Sequence, residues 1–285
     1  MPLRSLLFVP GDSPGKLAGG ARHGADALIL DLEDSVAPAR KVVARELVRD
    51  YLQRADRVSG GRCYVRINSV QSGAAWRDDL AAVIPGRPDG IVLPKSEPAL
   101  LTEVDRQIDR LQEAGAGEWP LRIIAIATET ATALFAIGHY RGASRRLEAL
   151  TWGGEDLAAE LGAVNRDQHG YGDTFRLARS LCVLGASAAD VTAIDSACMD
   201  YQDLQALEDE CRQGRRAGFT GKLAIHPRQV AVINEAFTPS EAEVGWAKRV
   251  VAAFASQPEL GVIGIDGKVI DRPHLRLAER LLARL

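Results

Sequence analysis

The chain is poor in the features that mark several large classes of protein. Its four cysteines, Cys63, Cys182, Cys198 and Cys211, are scattered and form no CxxC pair, so neither a disulfide framework nor a thiolate metal site is indicated. No apolar run approaches the roughly 18 residues that a membrane-spanning helix needs. Basic and acidic residues number 35 and 38, and this balance gives no field that would attract nucleic acid. We therefore expect a cytoplasmic protein with reduced, buried thiols and with neither a nucleic-acid nor a membrane partner.

Two nucleotide-binding fingerprints are also missing. No GxGxxG follows the first apolar run and no GxxxxGK[ST] occurs, which weakens the case for an open, doubly wound sheet. The sequence instead contains short aliphatic or β-branched runs that alternate with helical stretches. The predicted strands are 5–10, 27–32, 63–68, 90–95, 122–128, 147–152, a weaker 190–195, and 222–227. The predicted helices are 40–54, 97–114, 130–138, 174–184, 202–217 and 227–236.

This alternation predicts an α/β fold, a (β/α)₈ TIM barrel over residues 1–236, because eight such units in about 235 residues suit a closed barrel. Residues 237–285 predict a carboxy-terminal extension. The segment TPSEAEVGWAKRVVAAFA is typical of a helix opened by a Ser or Thr cap with a Glu downstream. GVIGIDGKVID then indicates a hairpin that turns at Asp266-Gly267, and a last helix begins near Pro273.

Charged and polar residues terminate most of the predicted strands. The runs end in Pro10-Gly11-Asp12, Asp31-Leu32-Glu33-Asp34, Arg66-Ile67-Asn68, Lys95, Thr128-Glu129-Thr130, Gly153-Gly154-Glu155-Asp156 and His226-Pro227. In a barrel the carboxyl ends of all strands meet on one face, which is where such enzymes place their active sites. Stability alone does not account for so many charges there, so we predict a functional site at this face.

The charged strand ends also have structural explanations. An acid of the Asp31–Asp34 cluster could cap the following helix, and Arg66 could form an internal ion pair with that cluster. Lys95 could close a similar pair, and Glu129 could be a helix cap. These alternatives stay open at the level of sequence.

The Glu155-Asp156 pair and the histidines have structural explanations too. One of the two acids could favour the positive end of a helix dipole while the other stays free. We interpret His226 as a packed, hydrogen-bonded ring. The other histidines lack ligand spacing and are expected at the surface: His23, His139, His169 and His274.

The set as a whole favours metal-assisted chemistry on an oxyanion. No Ser or Cys with a His partner indicates nucleophilic catalysis, and Lys95 lies among carboxylates instead of the apolar surroundings that a Schiff-base lysine needs. Mg²⁺ takes one or two carboxylates, completes its shell with water and substrate oxygens, and acts as a Lewis acid on a carbonyl or alkoxide. The residues therefore predict carbon–carbon bond chemistry at a keto acid or hydroxy acid.

Seven segments in order make the pattern more specific. RSLLFVPGDSPGKL, LILDLEDSVAPARK, VRIN, LPKSE, ATETATAL, WGGEDLAAELG and KLAIHPRQV, followed by the tail VIDRPHL, resemble the citrate lyase beta-subunit and malyl-CoA lyase family of the HpcH/HpaI aldolase–citrate lyase superfamily. The resemblance runs through essentially the whole chain. It implies a (β/α)₈ barrel that uses Mg²⁺ to cleave or form 3-hydroxyacyl-CoA thioesters.

The resemblance also implies roles for individual residues. Glu129 and Asp156 would be the metal ligands and would contact the substrate, and Arg66 would contact its carboxylate or keto oxygen. The backbone around Gly154, Glu155 and Asp156 would hold the carboxylate of the keto acid, which agrees with the affinity of helix-opening N–H groups for anions. Asp156 then binds metal, while Glu155 positions the loop.

The remaining implied roles concern the coenzyme and the last proton transfer. Arg4 and Lys16 would meet the CoA phosphates. Asp271 would protonate the acetyl-CoA enolate from a lid formed by residues 237–285 of a neighbouring subunit, in a homo-oligomer that we expect to be a trimer or a hexamer. Glu33 is a further catalytic candidate, because the residue that removes the hydroxyl proton is not identified.

The predicted function is a Mg²⁺-dependent carbon–carbon lyase that cleaves a citryl-CoA-like 3-hydroxyacyl-CoA thioester into acetyl-CoA and a 2-keto acid such as oxaloacetate. Three alternatives stay open: a CoA-independent class II pyruvate or oxaloacetate aldolase, a malate-synthase-like or thioesterase-like variant of the same barrel, and a non-catalytic subunit of a citrate-lyase-type complex. Retention of Arg66, Glu129 and Asp156 weighs against the last of these.

Overall fold

The computed structural model describes residues 3–54, 61–168 and 170–285, and the chain divides into the compact units Leu3–Ala236 and Phe237–Leu285. In the first unit, eight parallel strands pair in chain order and the last pairs with the first, which closes a barrel. The barrel strands are β1 (Ser5–Pro10), β2 (Ala27–Asp31), β3 (Arg62–Arg66), β4 (Gly90–Leu93), β5 (Arg122–Ile126), β6 (Leu147–Thr151), β9 (Thr192–Asp195) and β10 (Gly221–Ala224). A separate antiparallel pair consists of β7 (Arg166–Asp167) and β8 (Gly170–Tyr171). The predicted (β/α)₈ barrel is confirmed.

Helices connect the strands of this barrel. They are α1 (Pro14–Gly20), α2 (Lys41–Leu52), α3 (Ala75–Val83), α4 (Pro98–Leu111), α5 (Ala131–Ala136), α6 (Gly154–Leu161), α7 (Asp173–Ala189), α8 (Leu204–Ala217) and α9 (Pro227–Phe237). Short 3₁₀ turns lie at Ala21–His23, Pro38–Arg40, Val70–Ser72, Ile84–Gly86 and Ile137–His139, and a π turn at Gln112–Ala116. None of the described helices has the length and apolar character that a membrane crossing would require. All four cysteines are buried, as expected.

The alternation of side chains along each strand places the site. Ile29 of β2 and Tyr64 of β3 belong to the apolar cluster inside the barrel. Side chains two residues apart point to the same face of a strand. Asp31 and Arg66 therefore share the inward face with Ile29 and Tyr64, at the carboxyl ends of their strands. The periodicity that packs the core thus also brings these charges together.

Two helices and one hairpin were not predicted from the sequence. The α1 segment PGKLAGG has low helix propensity because of its glycines, but Pro14 starts it and Leu17 is buried. The α3 helix is only nine residues long, and its buried Trp76, Leu80 and Val83 follow helical spacing over too short a window to stand out. The β7–β8 pair is too short to give a strand pattern. His169, expected at the surface, lies outside the described residues.

The second unit, Phe237–Leu285, contains α10 (Glu241–Ser256), the antiparallel hairpin β11 (Val262–Ile265) and β12 (Lys268–Asp271), and α11 (Arg272–Leu282). Ser240 caps α10 through a reciprocal pair of hydrogen bonds with Glu243. Asp266 and Gly267 have φ values of 52° and 73°, the left-handed conformation that a two-residue hairpin turn needs. Apolar residues from the helices and the hairpin form a core of this unit's own: Ala247, Val250, Phe254, Ile263, Ile270 and Ala278.

Candidate active site

A cavity of about 740 Å³ opens at the carboxyl ends of the barrel strands. The structure brings most of the predicted site residues together in its wall: Lys16, Arg66, Glu129, Gly154, Glu155 and Asp156. Apolar side chains from inside the barrel, including Phe8, Ile126 and Leu223, also line it. The cavity thus combines apolar and charged walls, which is typical of small-molecule sites.

Arg66 is held in a fixed orientation by Asp31. Its Nε donates to Oδ1 of Asp31 and its Nη2 donates to Oδ2, each at 2.7 Å. Its Nη1 lies 2.9 Å from Oε2 of Glu33. The guanidinium also lies over the ring of Phe8, 4.8 Å from the centroid. The internal ion pair considered from the sequence is therefore present. Arg66 still lines the cavity, and its contacts with Asp31 fix the orientation of the guanidinium.

Electrostatics keep this pair charged. Burial alone would raise the pKa of Asp31, but the charge of Arg66 and the hydrogen bonds from Arg66, Ser35 and Glu33 together outweigh burial and lower the pKa. Burial alone would likewise lower the pKa of Arg66, and the charge of Asp31 raises it. The backbone N–H groups of Glu33 and Ser35 also donate to Asp31, at 2.9 and 3.1 Å, so the same carboxylate shapes the loop after β2.

Lys95 connects three carboxylates. Its Nζ lies 3.0 Å from Oε1 of Glu33 and 2.9 Å from Oδ1 of Asp156. Its backbone N–H donates to Oε2 of Glu129 at 2.5 Å. Lys95 has a φ of 47°, in the left-handed region that disfavours residues with a side chain. In this conformation the backbone N–H of Lys95 reaches Glu129 while its ammonium reaches Glu33 and Asp156.

Glu129 is 3% exposed and is packed against Gly153. A Cβ at position 153 would lie 2.5 Å from Cγ and 2.9 Å from Oε1 of Glu129. Burial, together with the charges of Asp156 and Glu33, raises the pKa of Glu129 to about 8. Among the residues that the structure describes, no group of three or more His, Cys, Asp or Glu side chains is poised to hold a metal ion. The predicted pair, Glu129 and Asp156, offers carboxylate oxygens only.

The two adjacent acids after β6 have different surroundings. The α6 helix begins at Gly154, and both Glu155 and Asp156 lie in its first turn. Oε1 of Glu155 accepts a 2.6 Å hydrogen bond from Nδ2 of Asn165, in the loop after α6. Asp156 instead binds Lys95. Glu155 thus contacts the loop after α6, whereas Asp156 contacts Lys95; the metal-binding role of Asp156 stays a prediction.

The cavity continues towards α1, where small residues line it. Gly15, Lys16, Gly19 and Gly20 belong to its wall, and a Cβ at Gly15 or Gly19 would meet nothing within 4 Å. Lys16 is exposed at this side. His23, expected only at the surface, is exposed but also lines this part of the cavity.

One predicted role does not agree with the structure. Arg4 precedes β1 and so lies at the amino end of the barrel, where its guanidinium forms two 2.8 Å bonds with Asp26. A CoA-phosphate contact at the opposite end is incompatible with that position.

Glu33 contacts both cations of the site. It is 5% exposed, binds Arg66 and Lys95, and lines a smaller neighbouring cavity of about 540 Å³ that Lys95 also lines. These contacts hold the two cations, and a catalytic role of Glu33 stays a prediction.

His226 and Asp271 are both hydrogen-bonded. The ring of His226 stacks on Tyr201, with centroids 4.5 Å apart, and its Nδ1 accepts from the backbone N–H of Arg228 at 3.2 Å. It is packed as expected, and it also lines the cavity. Asp271 ends β12 and caps α11 in the second unit, where its Oδ1 lies 2.5 Å from Nδ1 of His274. That hydrogen bond lowers the pKa of Asp271.

Asp195 is a buried residue behind the cavity wall that the sequence reasoning missed. It ends β9, the weakest of the predicted strands, and it is fully buried. Its Oδ1 accepts from Nε1 of Trp152, a cavity residue, at 2.7 Å. The sequence did contain a signal for this residue, because an acid ends the predicted strand, just as Asp31 ends β2.

A closed parallel barrel with a charged cavity at the carboxyl ends of its strands defines an enzyme of the TIM-barrel class. Residues 4–227 match the model of the HpcH/HpaI aldolase/citrate lyase family. The chain therefore belongs to that family, which confirms the predicted family and the prediction of a carbon–carbon lyase.

Curated relatives align over almost the entire chain. A (3S)-malyl-CoA thioesterase of Cereibacter sphaeroides is 35% identical over 99% of this chain and 94% of its own length. A citrate lyase subunit beta-like protein of Mycobacterium tuberculosis is 35% identical over 98% and 94% of the two chains. The human mitochondrial citramalyl-CoA lyase is 33% identical over 98% and 84%.

The structural comparison agrees. The crystal structure of CitE from Mycobacterium tuberculosis in complex with magnesium, acetoacetate and coenzyme A superimposes with a TM-score of 0.77 at 33% identity and covers 99% of this chain and 98% of that one. A citrate lyase beta subunit of the same organism, complexed with oxaloacetate and magnesium, gives a TM-score of 0.69 at 31% identity over 84% and 98%.

Proposed function

We propose that this chain is a Mg²⁺-dependent lyase that cleaves a citryl-CoA-like 3-hydroxyacyl-CoA thioester into acetyl-CoA and a 2-keto acid such as oxaloacetate. The observation that carries the proposal is the convergence of Arg66, Glu129, Asp156 and the Gly153-Gly154 turn in one cavity. The relatives named above support it, because their names combine CoA esters, keto acids and magnesium.

The carboxylates of the site fit a divalent cation. The ammonium of Lys95 already binds two of them, Glu33 and Asp156, so the site accommodates positive charge. The absence of a side chain at Gly153 leaves room beside Oε1 of Glu129. Glu129 and Asp156 would hold Mg²⁺, which prefers hard oxygen ligands and would act as a Lewis acid on the keto-acid oxygen.

The protein's own groups orient the substrate. Arg66, fixed by Asp31, presents a planar guanidinium that stabilises negative charge on the keto-acid oxygens. The N–H groups that open α6 hold the carboxylate of the keto acid. Lys16 meets the phosphates of CoA along the glycine-lined side of the cavity.

The cleavage itself is a retro-aldol (Claisen-type) step. A base takes the proton of the 3-hydroxyl, the bond between C2 and C3 breaks, and C3 becomes the carbonyl carbon of the 2-keto acid. The electron pair of that bond moves onto the acetyl-CoA fragment as an enolate, which is then protonated at C2. In our proposal Asp271 of a neighbouring subunit delivers that proton, because a lid places an acid within hydrogen-bond reach and excludes water.

Thioester hydrolysis is the second candidate, because a (3S)-malyl-CoA thioesterase is 35% identical over nearly the whole chain. The test is a panel of 3-hydroxyacyl-CoA thioesters and free hydroxy acids, with and without Mg²⁺. The proposal predicts acetyl-CoA and a 2-keto acid in equal amounts. Free CoA without a keto acid would instead indicate a thioesterase, and cleavage of the free hydroxy acids would indicate an aldolase.

Metal binding is tested separately by calorimetry. Glu129→Ala and Asp156→Ala should each weaken Mg²⁺ binding at least about tenfold, because each removes one of two ligands. Glu103→Ala, which removes a half-exposed acid bound only to Arg77, is the control and should bind Mg²⁺ normally. Unchanged Mg²⁺ affinity in both ligand variants would remove the metal assignment.

A further inference from the structure

A second cluster of buried charges lies behind the wall of the cavity. Lys222 of β10 is 1% exposed, and its Nζ lies 3.3 Å from Oδ2 of Asp195 and 3.2 Å from Oε2 of Glu210. Arg179 of α7 binds Oδ2 of Asp195 at 2.7 Å. Burial alone would raise the pKa of Asp195, but the charges of Lys222 and Arg179 together with the hydrogen bonds from Arg179 and Trp152 outweigh burial and lower the pKa. A buried ion cluster gives no assured gain in stability, so its position calls for another explanation.

One oxygen of Asp195 is bound by two residues of the cavity wall. Its Oδ1 accepts from the indole Nε1 of Trp152 at 2.7 Å and from the backbone N–H of Ser196 at 3.0 Å. Trp152 follows β6 and Ser196 follows β9, and these two strands are neighbours in the barrel. Among the described residues that line the cavity, Trp152 and Ser196 are present and Asp195 is not. A single carboxylate therefore connects two strand ends from behind the cavity.

Trp152 passes this constraint on to the glycine turn. The indole is 1% exposed and makes an edge-to-face contact with Tyr171, with the ring centroids 5.1 Å apart. A Cβ at Gly154 would lie 3.1 Å from Cζ3 of Trp152, so the Gly154 backbone already rests on the ring. The orientation of the indole thus determines where the first N–H groups of α6 point.

We propose that Asp195 is a positioning residue for the keto-acid end of the site. It ties Trp152 to Ser196, and through the indole it fixes the Gly153-Gly154 backbone that opens α6. What this turn binds rests on the proposed function, whereas the coupling of the two strand ends does not.

The coupling is tested by amide hydrogen exchange and mass spectrometry on the full chain without ligand. Asp195→Asn should make exchange about 10- to 100-fold faster in both segments, 152–158 and 194–200, because it weakens hydrogen bonds to a charged acceptor. Trp152→Phe keeps an aromatic ring but loses the N–H donor, so it should accelerate segment 152–158 alone. If Asp195→Asn does not fold, Trp152→Phe carries the test.

The matched control is Glu148→Gln. Glu148 holds Arg62 and the hydroxyl of Tyr64 at 2.5 and 2.6 Å near the amino ends of β3 and β6. The Glu148→Gln variant should leave amide exchange unchanged in segments 152–158 and 194–200. Unchanged exchange in Asp195→Asn and Trp152→Phe would overturn the proposal. Amide exchange that accelerates evenly over the whole barrel in these variants would also overturn the proposal. The buried charge cluster around Asp195 would then only stabilise the fold in general.

Kinetics provide the functional readout. Asp195→Asn and Trp152→Phe should raise the KM or Kd for the 2-keto acid about tenfold and change kcat less than about threefold, since the turn binds the ground-state carboxylate. Glu148→Gln should change neither. An unchanged KM for the keto acid in both variants would refute the positioning role. If the wild-type protein binds no 2-keto acid, the proposed function fails, while the exchange data still decide whether Asp195 couples the two segments.

Discussion

Replacement of Gly153 by Ala adds one methyl group beside Glu129, and its effect can be worked out from the structure. The new Cβ would lie 2.5 Å from Cγ of Glu129, whereas carbon atoms pack at about 3.5–4.0 Å. The φ and ψ of Gly153, −124° and 106°, suit any residue, so the whole effect comes from this contact. Glu129 would have to move by about 1 Å.

Glu129 has little freedom to make that movement. It is 3% exposed and accepts the backbone N–H of Lys95 at 2.5 Å. We expect the free energy of unfolding to fall by about 1–3 kcal/mol, as at other overpacked sites. A misplacement of about 1 Å in catalytic geometry costs up to roughly 100-fold in rate, so turnover should fall by about 10- to 100-fold, together with Mg²⁺ affinity.

The measurements are steady-state kinetics, calorimetric titration with Mg²⁺ and thermal unfolding. Gly138→Ala is the control, because a Cβ there meets nothing within 4 Å. If Gly153→Ala turns over and binds Mg²⁺ like Gly138→Ala, then Glu129 is not a metal ligand and the reasoning fails.

Three further predictions concern the ion pairs and the lid. Arg66→Lys keeps the charge but loses the two-bond fork with Asp31, so turnover should fall at least about 100-fold and oxaloacetate should bind more weakly; wild-type kinetics would leave Arg66 only an internal ion-pair partner. Asp31→Asn should lower the free energy of unfolding by about 3 kcal/mol near pH 7. Because the pKa of Asp31 is lowered in the folded state, this difference should shrink as the pH falls below about 4; a pH-independent difference in denaturant unfolding would contradict it. Asp271→Ala and Asp156→Ala chains, each inactive alone, should regain part of the activity when co-assembled, and full activity of Asp271→Ala alone would exclude that residue from the reaction.

Much of the barrel could be predicted from the sequence because burial and periodicity leave strong signals. Strand β2 is buried along its whole length and ends in Asp31, so a continuous apolar run followed by a charge marks both the strand and the site. The site residues Glu129 and Asp156 were found in the same way. The short helices were harder, because glycines in α1 and the length of α3 hide their periodicity.

The contacts behind the site could not be predicted. Asp195 ends a strand of only four residues, and its partners Trp152 and Lys222 come from other parts of the chain. Arg4 lies in a segment that resembles the family, yet it comes before β1 and so at the far end of the barrel. Sequence alone could not separate residues that line the main cavity, such as Arg66, from residues that hold them, such as Glu33.

The left-handed backbone of Lys95 sets a conformational cost against an ion-pair gain at one position. A residue with a side chain at a φ of 47° carries a conformational cost of about 1–3 kcal/mol, which glycine would largely avoid. Glycine would keep the N–H that binds Glu129 but would remove the ammonium between Glu33 and Asp156. Removal of one partner from a buried ion pair costs about 3–5 kcal/mol, which exceeds the strain that glycine would relieve. The usual stabilising replacement of a left-handed residue by glycine should therefore fail here, so position 95 should be held fixed when the protein is stabilised.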